Sequence, residues 1–215
     1  MKKILSLCLI FIMLFGTAYA QDTADIQSHT QDLKKLGIMV GDEDGNLRLD
    51  DNITRAEAAK MICVAAGLST QAADGGNVFP DVPDSHWGYK YIYALNEKEI
   101  VCGDENGNFN PENNITNEEI IKMVVGILGY SPMAEVRGGY PAGFKMIASQ
   151  YGITEGFSFE TDTPAIRADV ALIIYRALDI PIMEEFKKPD AVEYKILNGE
   201  NGTIRKTLRD GIPVE

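Results

Sequence analysis

The feature that most constrains this chain is an internal repeat. The stretch 36–57 reads LGIMVGDEDGNLRLDDNITRAE, and the stretch 99–119 reads EIVCGDENGNFNPENNITNEE. Gly41 and Gly103 are 62 residues apart, as are Ile53 and Ile115, and Thr54 and Thr116. One constant offset across many positions marks a repeated supersecondary unit, which buries its apolar face only by packing on its neighbours.

Each copy predicts the same local structure. Asp44-Gly45 in the first copy is a strong tight-turn dipeptide. Asp42-x-Asp44-Gly45-Asn46 also resembles a calcium loop, but such a loop needs a bidentate Glu at its twelfth position. Counted from Asp42 that position is Ile53, and from Asp104 it is Ile115, so the sequence favours a plain turn. Thr54-x-x-Glu57 and Thr116-x-x-Glu119 are capping boxes, in which hydroxyl and carboxylate each accept from the other residue's backbone N–H. The first capped helix is expected to run to about Ala66, burying Ala58, Met61, Ile62 and Ala65, with Gly67 as its stop. The second covers Asn117 to Leu128, with Ile120, Val124, Ile127 and Leu128 facing inward.

A third, degraded copy follows. Gly143-Phe144-Lys145-Met146-Ile147 matches Gly88-Tyr89-Lys90-Tyr91-Ile92, and Arg167-Ala168-Asp169 echoes Arg55-Ala56-Glu57. The loop from Gly156 to Arg167 is three residues shorter than that from Gly41 to Arg55, and its Asp-Gly turn is gone. Thr163 with Pro164 reads as an N-cap and first helical position. The last helix passes through Ala171, Ile174 and Leu178 and stops before Pro181.

Between the copies, a short helix ends at Gly37, a good C-cap position, and Ile38-Met39-Val40 reads as an apolar run crossing the core. Ser69 to Asn77 is a Gly-rich linker. Pro80 and Pro83 forbid a regular helix, so the next helix is placed at Trp87 to Lys98, burying Trp87, Tyr91, Ala94 and Leu95. Beyond Glu184, Val192 to Leu197 and Thr203 to Leu208 read either as a hairpin around Asn198 to Gly202 or as a frayed tail.

Composition narrows the function classes. Residues 1–20 carry Lys2 and Lys3, an apolar run and the small-residue ending Ala18-Tyr19-Ala20, the pattern of a secretory leader cleaved after Ala20. The apolar run is shorter than the ~20 residues a membrane span needs, so no membrane insertion is expected after cleavage. Without the leader the chain has 18 basic and 32 acidic residues, a net charge of −14, which is no footprint for nucleic acid. Any anion must be held by a local array of donors. Cys63 and Cys102 remain; an exported protein can pair them, but Cys63 falls within a helix and Cys102 beside a turn glycine, so two buried free thiols are the preferred reading. The spacing supplies no metal-ligand set and calls for no cofactor. His29 and His86 are the only histidines, and neither adjoins a candidate nucleophile, so an enzyme is not expected.

Phe79-Pro80-Asp81-Val82 with His86-Trp87, then Ile100 to Gly103, Asn106 to Pro111 and Ile115-Thr116, resemble the S-layer homology repeat. Ile53-Thr54-Arg55-Ala56-Glu57 matches that family's ITRAE signature at every position. The resemblance divides the chain into a leader 1–20, a first repeat 21–68 without the usual opening segment, a second at 78–130, a degenerate third at 131–181 and a tail 182–215. It implies a mainly α fold in which three helix–loop–helix repeats pack as a pseudo-threefold bundle. It also implies export to the cell surface and non-covalent attachment to secondary cell-wall polysaccharide, often pyruvylated, through grooves between repeats. The alternative is a degenerate array acting as a structural or protein-interaction module, through self-assembly or other surface proteins. Carried onto this chain, the ligand residues are Arg55, Arg167, Thr54, Glu57, Gly41, Asp42, Asp81, Trp87, Gly103 and Asn117. The second repeat departs in having Asn117 where the signature has Arg, and the third has Ala142 opposite Trp87.

Arg55 stands at the first position of a predicted helix. The macrodipole is positive there and disfavours a cation by about 0.3–1 kcal/mol, while free N–H groups favour an anion. A carboxylate ligand on the planar guanidinium would resolve both; the plainer reading is an exposed Arg55 paired with Asp50 or Asp51. Trp87 has a plainer role too, in the core. Asp81 is expected to orient the adjacent turn, and Glu57 and Glu119 to act chiefly as caps. Asn117 carries no charge, so a groove built on it should bind weakly.

Overall fold

The structure is a computed structural model describing residues 25–71, 76, 78–188, 191–196 and 206–212. The leader 1–20 and the anticipated turn Asn198 to Gly202 lie outside the described residues. The helices are α1 over 25–35, α2 Arg55–Ala65, α3 Tyr89–Asn96, α4 Asn117–Ile127, α5 Ser131–Val136, α6 Ala142–Gln150 and α7 Arg167–Ala177. A hairpin follows, β1 Met183–Lys188 antiparallel to β2 Ala191–Ile196, then a 3-10 turn at Arg209–Gly211. Among the described residues no helix is long and apolar enough to cross a membrane.

Both capping boxes form. Thr54 accepts from the Glu57 amide while Glu57 accepts from the Thr54 amide, and Thr116 and Glu119 do the same. With their first-turn donors satisfied, α2 and α4 begin where the sequence placed them. The third copy differs. Its N-cap is Ile166, with no side-chain cap, and α7 starts at Arg167. Thr163 does not cap it; its hydroxyl donates to the Glu160 carbonyl, because the shortened loop brings Thr163 back onto its own chain.

The helices α2, α4 and α7 pack on one another around a pseudo-threefold axis, with α3 against α2 and α6 against α4. The first helix closes the circle: His29 of α1 stacks on Tyr175 of α7 with ring centroids 4.0 Å apart. A ring of backbone hydrogen bonds marks the axis. The Ile53 N–H donates to the Ala165 carbonyl (3.2 Å), the Ala165 N–H to Ile115 (2.8 Å), and the Ile115 N–H to Ile53 (3.0 Å). All three side chains are fully buried. A second ring lies two residues on, from the N–H of Arg55 to Asn113, of Asn117 to Thr163, and of Arg167 to Asp51. The first amides of each core helix, which have no partner within their own helix, are thus satisfied by the loop of another copy. No copy completes its own helix start.

Several local expectations change. The helix placed at Trp87 begins at Tyr89 and buries Tyr89, Ile92, Ala94 and Leu95. Trp87 is 50% exposed and Tyr91 half-buried, because the chain is still turning through His86 to Gly88 when it reaches the tryptophan. Ile38 and Met39 enter the core, but Val40 stays exposed. Cys63 and Cys102 are both free; only Cys63 is buried, and Cys102 is exposed. The hairpin is shifted: Val192 pairs with Lys187, and Lys206 and Thr207 run beside Ile182 and Pro181 instead of forming its second strand.

Candidate functional site

Two grooves run between neighbouring copies, and each is built from both. One, of about 340 Å³, is lined by Arg55 from the first copy and by Gly103, Asp104, Thr116, Glu119, Lys122 and Tyr140 from beyond it. The other, of about 240 Å³, joins Arg167 to Gly41, Arg48, Glu57, Lys60 and Trp87. The arginine of one copy therefore works with the turn of the next, and the residues named from sequence fall into two sets. Gly41, Glu57 and Trp87 belong with Arg167, and Gly103 belongs with Arg55. Neither groove is made within a single copy.

The glycines set the turn geometry. A Cβ on Gly41 would lie 2.7 Å from the Gly45 carbonyl carbon, and one on Gly103 2.8 Å from that of Gly107. The Asp42 carboxylate is occupied within its turn, accepting from the Asp44 and Asn46 amides. Asp104 does the same for Asn106 and Asn108. The Asn110 amide, followed by these loop amides, holds its carboxyl below the usual range. Asp81 orients not the turn beside it but the end of the second glycine loop, accepting from the backbone of Phe109 (2.9 Å) and Asn110 (2.6 Å). Thr54 is a cap, not a groove-lining residue.

Each arginine is a latch between copies. Arg55 donates from Nε to the Phe109 carbonyl (2.8 Å) and from Nη1 to Glu119 Oε1 (2.7 Å), with its guanidinium 4.7 Å from the Phe109 ring centroid. Arg167 donates from Nε to the Leu47 carbonyl (2.8 Å), from Nη1 to Glu57 Oε1 (3.2 Å) and from Nη2 to the Val40 carbonyl (3.1 Å). Glu57 and Glu119 divide their work: Oε2 caps the threonine amide of their own helix and Oε1 holds the incoming guanidinium. Neither Asp50 nor Asp51 pairs with Arg55; Asp51 faces Arg48 instead. The difference between the latches matters. Arg167 is 5% exposed and uses all three of its nitrogen positions. Arg55 keeps Nη2 without a partner among the described residues and lines the larger groove.

The third interface lacks this arrangement. Asn117 is 4% exposed and donates from Nδ2 to the Thr163 carbonyl (3.2 Å), reproducing the carbonyl contact of the arginines but not the carboxylate contact. Its Oδ1 has no partner among the described residues. Asp169, which stands where Glu57 and Glu119 stand, receives no guanidinium, and burial pushes its carboxyl above the usual range. Glu118 occupies the place of Ala56 and Ala168; it is 2% exposed and faces Lys145 at 3.4 Å.

Sequence reading missed three groove cations and one groove aromatic ring. Lys60 and Lys122 are separated by the same 62 positions as the rest of the repeat, so the periodicity held that signal. Arg48, 47% exposed on its side chain and within 4.0 Å of Asp42, Asp51 and Glu57, has the uncharged Asn110 as its counterpart in the second copy. Tyr140, 46% exposed, gives the Arg55 groove the aromatic ring that Trp87 gives the other, with Lys122 Nζ 5.3 Å from its centroid. Alignment along the chain had put Ala142 at that place.

A family profile for the S-layer homology domain matches residues 31–59 and 78–121. The chain is an S-layer homology domain protein. Those segments carry both glycine turns, both capping boxes and Arg55. The chain is 30% identical over 191 residues to the middle cell wall protein of Brevibacillus brevis, covering 87% of this chain and 18% of that protein. It is 28% identical over 198 residues to the surface layer protein of Brevibacillus choshinensis, covering 90% of this chain and 17% of the relative. An endoglucanase of a Bacillus species is 31% identical over 102 residues, covering 47% of this chain and 10% of the enzyme. The chain thus spans less than a fifth of these relatives' length.

Proposed function

We propose that this chain is a non-catalytic module that holds an exported protein on the bacterial cell surface by binding an acidic, pyruvylated cell-wall polysaccharide in its inter-repeat grooves. We read it as three repeats, 21–68, 78–130 and 131–181, behind a cleaved leader. One observation carries the binding reading. In a chain of net charge −12, each groove collects cations beside an exposed aromatic ring: Arg55 and Lys122 with Tyr140, and Arg167, Arg48 and Lys60 with Trp87. A ring face accepts the apolar face of a sugar, and a guanidinium or ammonium takes a carboxylate by charge-assisted hydrogen bonds. The relatives bear the names of cell-wall and surface-layer proteins, which supports a cell-surface location.

The Arg55 groove is the principal site. It is the larger, Nη2 of Arg55 is available, and a ketal carboxylate can share the guanidinium with Glu119 without breaking the latch. Arg167 is spent on protein partners, so anion binding in the second groove falls to Arg48 and Lys60.

Cys102 lines the Arg55 groove and is exposed, which gives a direct assay. A pyruvylated disaccharide should protect Cys102 from a thiol reagent, whereas the same sugar without its ketal should not. In parallel, residues 21–215 should bind isolated cell walls and lose that binding after hydrofluoric acid strips the polysaccharide. Lys122→Gln, which removes a groove cation whose one inter-repeat contact is with the exposed Tyr140 ring, should weaken both effects with little change in melting temperature. Equal binding to intact and stripped walls would reject the polysaccharide and leave the protein-interaction reading in its place.

A further inference from the structure

We propose that His86 positions Trp87 on the wall of the Arg167 groove, holding the turn 86–89 through its ring Nδ1. The tryptophan needs such a holder. It is half exposed, so core packing does not enclose it, and an exposed ring keeps its rotamer freedom unless a neighbour removes it. The His86 ring stacks on it, with centroids 5.6 Å apart and planes at 27°. His86 also grips the backbone on the far side of Trp87. Its Nδ1 accepts from the Gly88 N–H (3.0 Å), and its carbonyl accepts from the Tyr89 N–H (2.9 Å). These amides open α3, whose N-cap is Gly88 and has no side chain to offer. The His86 N–H in turn donates to the Pro83 carbonyl (2.9 Å). Trp87 therefore cannot swing its backbone without breaking one of these bonds.

The imidazole is itself clamped. Its side chain is 15% exposed, and Nε2 lies 3.0 Å from Glu112 Oε1. A Cβ on Gly88 would stand 3.2 Å from His86 Nδ1 and 3.3 Å from the Ala56 Cβ. Glycine thus lets the ring lie over the start of α3, close against α2 of the first copy. The hydrogen bonds assign the tautomer. Because Nδ1 accepts an N–H it carries no proton, so the neutral ring carries its proton on Nε2, where Glu112 accepts it. Glu112 follows Pro111, whose carbonyl accepts from the Ala56 N–H, so the clamp is anchored where the second loop meets α2. The repeat supports the pairing of the two residues. In the third copy the places of His86 and Trp87 are taken by Pro141 and Ala142, ahead of Gly143, so the ring and its holder are lost together. That the placed ring serves a sugar rests on the reading of the groove given above; that His86 places it does not.

Trp87 is the only tryptophan, so its fluorescence reports on this ring alone. Three variants of residues 21–215 separate the contacts. His86→Ala removes the ring and both of its bonds. His86→Asn keeps an acceptor near the place of Nδ1 but cannot reach Glu112. His86→Gln reaches toward Glu112 but offers no acceptor at the Nδ1 place. Acrylamide quenching of Trp87 should rise on the order of twofold in His86→Ala and His86→Gln, as the ring regains its fast rotamer motion. His86→Asn should recover most of the wild-type value. Circular dichroism checks the helical core of each, and if His86→Ala does not fold, the Asn and Gln variants decide. Nitrogen NMR of the wild type should show His86 Nδ1 unprotonated at pH 8. Quenching in the variants equal to wild type overturns the proposal. So does His86→Asn quenched as strongly as His86→Gln, or a proton on Nδ1. A separate titration with the pyruvylated disaccharide should shield Trp87 from acrylamide. A correctly held Trp87 that the sugar does not shield rejects the sugar in this groove and leaves the role of His86 standing.

Discussion

Removing Arg55 gives the most informative perturbation, because it tests the inter-repeat latch directly. In Arg55→Ala the Phe109 carbonyl loses the Nε donor at 2.8 Å, and Glu119 Oε1 loses its partner at 2.7 Å. Glu119 is not stranded, since Oε2 still accepts from the Thr116 amide and its side chain is 34% exposed. The carbonyl, beside the buried Phe109 ring, is the larger loss. Leaving a buried acceptor unpaired costs about 1–3 kcal/mol, and loss of the guanidinium stacked 4.7 Å from that ring adds about 0.5–1 kcal/mol. We expect Arg55→Ala to destabilise by about 2–4 kcal/mol, a fall in Tm of roughly 4–16 °C for a domain of this size. Urea unfolding followed by circular dichroism measures it, with an unchanged slope showing that the folded state stays compact. Arg167→Ala should cost more, because its side chain is 6% exposed and three donors are lost, two of them to carbonyls. If Arg55→Ala unfolds within about 0.5 kcal/mol of wild type, the latch contributes no more than an ordinary surface pair and the argument fails.

Other outcomes follow from the same geometry. Asp169 is held above its ordinary pKa of 3.8 by burial, so the folded state binds its proton more tightly than the unfolded state does. Ionising it costs stability, in full above the raised value and not at all below 3.8; Asp169→Asn should raise Tm at pH 7 and flatten the fall in stability as pH rises through the window above 3.8. Gly103→Ala drives a Cβ to 2.8 Å from the Gly107 carbonyl carbon. It should cost about 1–3 kcal/mol and open the Arg55 groove, both visible in urea titration and in the rate of Cys102 modification. In residues 21–215 one thiol should react rapidly with a disulfide reagent at pH 7 and one should not, because Cys102 is exposed while burial lifts the Cys63 thiol to about 11. Two equally fast thiols would contradict the burial of Cys63.

What the sequence determined by itself was local. The tight turn, the capping box and the apolar face of α2 and α4 each depend on residues within a few positions of one another, and a 62-residue offset repeats them. Glycine at 41 and 103 and threonine at 54 and 116 are chosen by backbone geometry inside their own segment, so composition and spacing suffice to find them. The tertiary structure decided everything that needs two copies at once. Arg55 meets a carbonyl and a carboxylate 54 and 64 positions away, and Arg167 reaches back 110, 120 and 127. Spacing within one copy made Leu36 to Glu57 look like a complete site, yet its turn serves Arg167 and its arginine serves the second turn. The exposure of Trp87 and the recruitment of Tyr140 have the same origin. Whether a ring lies in the core or on a groove wall depends on where the neighbouring copy ends, and helical periodicity carries no information about that. The physical reason is the cyclic closure of the fold: the first free amides of each core helix take their partners from another copy's loop, so the site exists only where two copies meet.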